Sequence, residues 1–122
     1  RAPMSETVSW VLEAKVKDGA FDDAKALMDE MSAATQADEP GALAYEWFAS
    51  EDKTKICLYE RYADSAATMV HLGNFGSKFA DRMMALMEPT GLTVFGDPSA
   101  EVRAGLAPFG AVHMAQVAGF AR

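Results

Sequence analysis

The sequence predicts an α+β domain whose elements follow the order βαββαβ, with one further strand at the C-terminal end. Three observations carry that expectation. The hydrophobic period switches between two and about 3.6 residues along the chain, a Gly, Pro or Asp signal falls at each switch, and two β-rich runs in the middle meet at a short polar tip.

Residues 7–17, TVSWVLEAKVK, place Val8, Trp10, Leu12, Ala14 and Val16 on one side and mostly polar residues on the other, the pattern of a half-buried strand. Gly19 breaks it. From Ala20 to about Ala34 the apolar residues Phe21, Ala24, Leu27, Met28 and Met31 follow steps of three and four, which predicts a helix with its acidic residues toward water. Glu39-Pro40-Gly41 is a turn, after which 42–50 and 54–62 form a hairpin around Ser50-Glu51-Asp52-Lys53-Thr54. Asp64 offers an N-cap to a short helix over 65–73. Gly73-Asn74 interrupts it, and a second helical stretch carries Phe75, Phe79, Met83 and Leu86 to Pro89. A strand at 91–96, a brief helix near 101–106 and a final strand, Ala111–Val117, complete the chain.

The chain of 122 residues suits a single domain spanning 1–122. Half of it is apolar and about a quarter charged, as in ordinary globular proteins. The single cysteine, Cys57, makes no internal disulfide and sits mid-strand, where a buried, unreactive thiol is expected. A formal charge of −7 with scattered basic residues argues against nucleic acid. No apolar run approaches membrane-spanning length, and the start, Arg1-Ala2-Pro3-Met4-Ser5, has no apolar h-region, so the cytoplasm is the expected location.

The βαββαβ order is the ferredoxin-like pattern, in which helices cover one face of a four-stranded sheet. Trp10, Leu12, Tyr45, Trp47, Leu58 and Tyr59 read as apolar on both sheet faces, so the uncovered face is expected to meet a second copy of the chain. The extra strand needs an edge to pair with and is expected to cross to that copy.

Pro40-Gly41-Ala42-Leu43-Ala44-Tyr45-Glu46, the polar hairpin, Leu58-Tyr59-Glu60-Arg61-Tyr62, Asp64-Ser65-Ala66 and His71-Leu72 together resemble the antibiotic biosynthesis monooxygenase family. The resemblance implies a dimeric α+β barrel and, for some members, oxidation of quinols or aromatic polyketides without metal or flavin. Two positions depart from the family pattern. Tyr62 stands where Trp is common, and Gly73-Asn74-Phe75 replaces Ser/Thr-Pro-His-Phe, which alters the implied pocket.

His71 is the candidate general base, because a neutral imidazole takes up a proton near pH 6.5; its alternative is a carbonyl partner at a helix end. Glu60 and Tyr62, two residues apart on one strand face, are candidates to orient a phenolic substrate, the alternative for Glu60 being an ion pair with Arg61 or Arg82. Trp47, Phe75 and Phe79 are candidate walls of an apolar pocket and otherwise core. His113 reads as an interface or core histidine. There is no HxH, HExxH, CxxC, GxGxxG or Walker pattern, so no metal, haem or flavin is expected. Haem degradation is disfavoured because the first strand lacks the Asn that the resemblance would require for it. The resulting expectation is a cofactor-independent monooxygenase acting with O₂ on a small aromatic or quinol-type molecule. The alternative is a non-enzymatic dimeric domain that shelters a small ligand or serves a stress response.

Overall fold

The computed structural model describes residues 5–122; the Arg1–Met4 segment, and with it the expectation drawn from the start of the chain, lies outside them. β1 (Val8–Val16) buries Val8, Trp10, Leu12 and Ala14, as its alternation dictates. α1 (Phe21–Asp38) buries Ala24, Leu27, Met28, Met31 and Thr35. It outruns the expected end at Ala34 because Thr35 continues the inward stripe, and Pro40, which has no N–H, closes it. β2 (Ala42–Ala49) and β3 (Lys55–Tyr62) form the expected hairpin. At its tip Asp52 accepts hydrogen bonds from the Ser50 and Thr54 hydroxyls at 2.7 Å each, and these hold its carboxyl down at about 2.

α2 (Ser65–Lys78) starts at an Asp64 N-cap that accepts from the Ala67 amide at 2.8 Å. It does not stop at Gly73-Asn74. Two helical glycines cost about 1 kcal/mol each, but the burial of His71 against Tyr62 and the packing of Phe75 on the core outweigh that local preference. The break falls at Phe79, between α2 and α3 (Ala80–Leu86). β4 (Met87–Phe95) starts directly after α3 and includes Pro89, which the periodicity had set as a helix terminator. Pro89 is tolerated because this end of β4 pairs only with β1, beside a register shift at Glu13/Ala14. α4 (Ala100–Leu106), a 3₁₀ turn (Ala107–Phe109) and β5 (Val112–Met114) end the fold.

The five-stranded sheet has the order β2-β3-β1-β4-β5, antiparallel except for the last pair. The ferredoxin-like α+β arrangement expected from the sequence is therefore present, with its extra strand. That strand is shorter than expected and pairs in parallel with β4 of its own chain, Thr93 facing Val112 and Phe95 facing Met114. The register also corrects the reading of two apolar faces. Trp10, Leu12, Tyr45, Trp47 and Leu58 all lie on the helix-covered face, and Tyr59 alone of that set faces the other way. The open face is mixed: Phe48, Phe95, Val112 and Met114 are exposed beside Glu13, Glu46 and Arg61.

One close approach positions the site. A Cβ on Gly41 would lie 2.5 Å from the Cβ of Ala67, so the start of β2 and the first turn of α2 meet at a distance that only glycine allows. His71 lies one helical turn beyond Ala67 on the same face of α2. The contact thus brings His71 over the C-terminal end of α1, where Glu39 stands.

Candidate active site

Three side chains from three elements meet under α2. Glu39 is the C-cap of α1, Glu60 faces inward from β3, and His71 points down from the middle of α2. All are buried, with 6 %, 3 % and 5 % of their surface exposed. His71 Nδ1 contacts Glu39 Oε1 at 2.8 Å, and Nε2 contacts Glu60 Oε1 at 3.1 Å. Asn74 Nδ2 donates to the other Glu39 oxygen at 3.2 Å. The Tyr62 hydroxyl donates to Glu60 Oε1 at 2.5 Å, and Trp10 Nε1–H donates to Glu60 Oε2.

This arrangement fixes the protonation states. Burial acts against a charge on His71, but the hydrogen bonds and charges of Glu39 and Glu60 outweigh it and push its pKa up to about 9. Burial likewise raises Glu39, and the bonds from His71 and Asn74, with the His71 and Lys78 charges, leave it below the usual carboxylate range. The ring is therefore an imidazolium at neutral pH with both N–H groups engaged. The expectation of a neutral imidazole poised near 6.5 is corrected, because two buried carboxylates stabilise the charged ring more than desolvation destabilises it. Tyr62 and Tyr45 are raised well above an ordinary phenol, first by burial and then by the Glu60 charge, so both remain protonated.

The same placement removes the alternative of a carbonyl partner at a helix end. His71 lies mid-helix, and deleting it would leave two carboxylates buried without their cation, a loss of about 3–5 kcal/mol for broken buried pairs. Glu60 pairs with neither arginine proposed for it. Arg82 binds Glu30 at 2.6 Å, and Arg61 is on the opposite face of β3.

An apolar cavity adjoins the cluster, lined among others by Trp10, Tyr45, Glu60, His71, Phe75 and Phe109. Of the expected walls, Phe75 lines it. Trp47 stands one ring removed, edge-on to Tyr45 at 5.9 Å, and Phe79 packs at the α2–α3 junction away from the lining. His113 lies on β5, its Nδ1 buried without a hydrogen-bond partner among the described residues. Cys57 is half-buried, its thiol raised by burial and by Glu13. Among the described residues no group of His, Cys, Asp or Glu is arranged to hold a metal ion, and no helix is long and apolar enough to cross a membrane.

Sequence reasoning missed Glu39, Tyr45 and Phe109 as site residues. For Glu39 a signal existed. A carboxylate at a helix C-terminus, with no basic residue in the last turn, opposes the helix dipole and so calls for a cation from elsewhere in the fold.

The sequence profile described as Antibiotic biosynthesis monooxygenase matches residues 7–80. Among solved structures, MupZ from Pseudomonas fluorescens superposes with a TM-score of 0.88 at 21% identity, covering 100% of this chain and 94% of that one. SnoaB from Streptomyces nogalater, named as a cofactor-independent oxygenase, gives a TM-score of 0.65 at 18% identity, covering 78% of this chain and 96% of its own. Rv0793 from Mycobacterium tuberculosis gives 0.60 at 25% identity, with 76% and 96% covered. No curated protein matches the sequence significantly.

Proposed function

Because the chain belongs to the antibiotic biosynthesis monooxygenase family, we propose that it is a cofactor-independent monooxygenase that oxidises a small aromatic or quinol-type substrate with O₂. The observation that carries this reading is the buried Glu39–His71–Glu60 cluster at the wall of an apolar cavity. An electron-rich phenol, once deprotonated, can itself supply electrons to O₂. The chain then has to exclude water and move a proton, and side chains alone can do both.

His71 is the proton carrier in this scheme. As general base it must first lose its own proton, and with a pKa of about 9 only about 1 % of molecules are in that state at pH 7. The ring protonated by substrate then returns the proton to the distal oxygen of the peroxide formed with O₂. For a methylene beside a phenolic ring system, one oxygen atom becomes the new carbonyl and the other leaves as water, so atoms and electrons balance. Glu60, itself held by the Tyr62 hydroxyl, keeps Nε2 in place. Aerobic and anaerobic incubation with quinols and anthrones, following O₂ uptake, tests the reaction. Uptake should require substrate and rise with pH up to about 9. Substrate-independent uptake, or a plateau reached by pH 7, speaks against His71 as the base.

A second reading, a non-enzymatic dimeric domain that shelters a small ligand, is favoured by one fact: both ring nitrogens of His71 are already bonded to carboxylates. It predicts ligand binding with no O₂ consumption.

A further inference from the structure

The cavity holds only about 40 Å³ of free space. A cavity that accepts a benzene ring measures about 150 Å³. Part of the lining must therefore move before any aromatic molecule enters, and the anchorage of each lining residue decides which part.

Trp10, Leu12, Leu58 and Leu92 belong to strands laddered into the sheet. Met31 is on a helix of 18 residues, and His71 is tied at both nitrogens. Leu106, 2 % exposed, ends α4, which is itself fixed: Val102 is fully buried, Gly105 lies against Leu72, and Ser99 N–H donates to Ser65 Oγ at 2.9 Å. On the far side β5 is pinned by its pairing with β4 and by Gly96 N–H donating to Met114 O at 3.0 Å.

Between these two anchors lies the 3₁₀ turn that carries Phe109. Pro108 has no N–H to give, and Gly110, in the left-handed region at φ 69, closes the turn through one bond to Ala107 O at 3.0 Å. A Cβ on Gly110 would meet nothing within 4 Å, so there is room around it. The half-buried Phe109 ring stands 6.5 Å from that of Phe75, and both line the cavity. This segment lies beyond residue 80, where the family match ends.

We propose that Phe109, swinging on the turn between α4 and β5, is the gate of the cavity and sets the size of the flat, uncharged molecule that enters. Anions are disfavoured by the cluster, whose two carboxylates and one imidazolium leave a net negative charge at the wall, and ions of either sign by the apolar remainder of the lining. The inference rests on reading this cavity as the substrate site.

The test is binding, not turnover. Wild type, Phe109→Leu and Phe109→Trp are titrated with phenol, 1-naphthol and anthrone, following quenching of indole fluorescence, since Trp10 lines the cavity. Circular dichroism checks that each variant is folded. Phe109→Leu should shift the preference toward the fused rings by about tenfold relative to phenol, and Phe109→Trp should shift it the other way. Binding with the same order of preference in all three proteins overturns the gate and leaves the site reading standing. Failure of all three folded proteins to bind any probe overturns both.

Discussion

Glu39 does for His71 what no neighbour on α2 can. It takes the Nδ1 proton in a hydrogen bond and leaves Nε2 aimed at Glu60 and the cavity wall. The groups facing the ring are Glu39 from the end of α1, Glu60 and Tyr62 from β3, and Tyr45 from β2, with Lys78 acting on Glu39 from the end of α2. Glu39→Gln keeps an acceptor for the ring and removes one charge, so the titration of His71 followed by proton NMR should move from about 9 down toward 6.5. Stability should track the same midpoint. A group whose folded pKa is raised contributes fully below its unfolded value and loses that contribution as pH climbs through the folded one. Wild-type stability in urea should thus fall between pH 6.5 and just above 9, and in Glu39→Gln the fall should end earlier. An unmoved NMR midpoint refutes the role given to Glu39.

The junction of β2 with α2 shows why an element's ends matter more to this site than its middle. Gly41 is required by contact, its would-be Cβ being 2.5 Å from that of Ala67, and Ala63 N–H bonds Gly41 O at 2.9 Å beside it. Gly41→Ala should push α2 away from β2 at a cost of about 1–3 kcal/mol. The His71–Glu39 contact is next along the helix and should loosen with it. Thermal melting and the His71 titration, measured together, check this: a lowered melting temperature with a lowered His71 midpoint is expected. By contrast, Gly73 and Gly76 lie inside α2 with no neighbour within 4 Å of a would-be Cβ, so they permit the helix without being required by contact.

We propose the open face of the sheet as the seat of a second copy. Phe48, Phe95, Val112 and Met114 form its apolar part, and beyond β5 Val117 and Phe120 extend from the body with 95 % and 77 % of their surface exposed. Pairing of two such faces, with the stretch 115–122 laid across the partner, would cover both. Sedimentation equilibrium at micromolar concentration should return twice the 13.1 kDa of one chain. Truncation after Met114 should weaken that dimer while leaving β5 in place. A wild-type monomer, or a truncated chain that dimerises equally well, counts against the arrangement.

The sequence by itself determined the order of elements, because the period of apolar residues is a local property that survives in one dimension. Val8 to Val16 must be a strand, Phe21 to Met31 must turn as a helix, and Asp64 must cap the helix that starts at Ser65. It also placed Glu60 and Tyr62 together, since two residues on one strand necessarily share a face. Where local preference and packing disagree, the pattern misled. Glycines inside α2 suggested a break, and Pro89 suggested a helix end, until the sheet and core outweighed both. The charge of His71 was beyond any local reading. It depends on Glu39 and Glu60, 32 and 11 residues away in sequence, being buried against the same ring. Only the closed fold removes the water that would otherwise screen those carboxylates and keep the imidazole near its ordinary pKa.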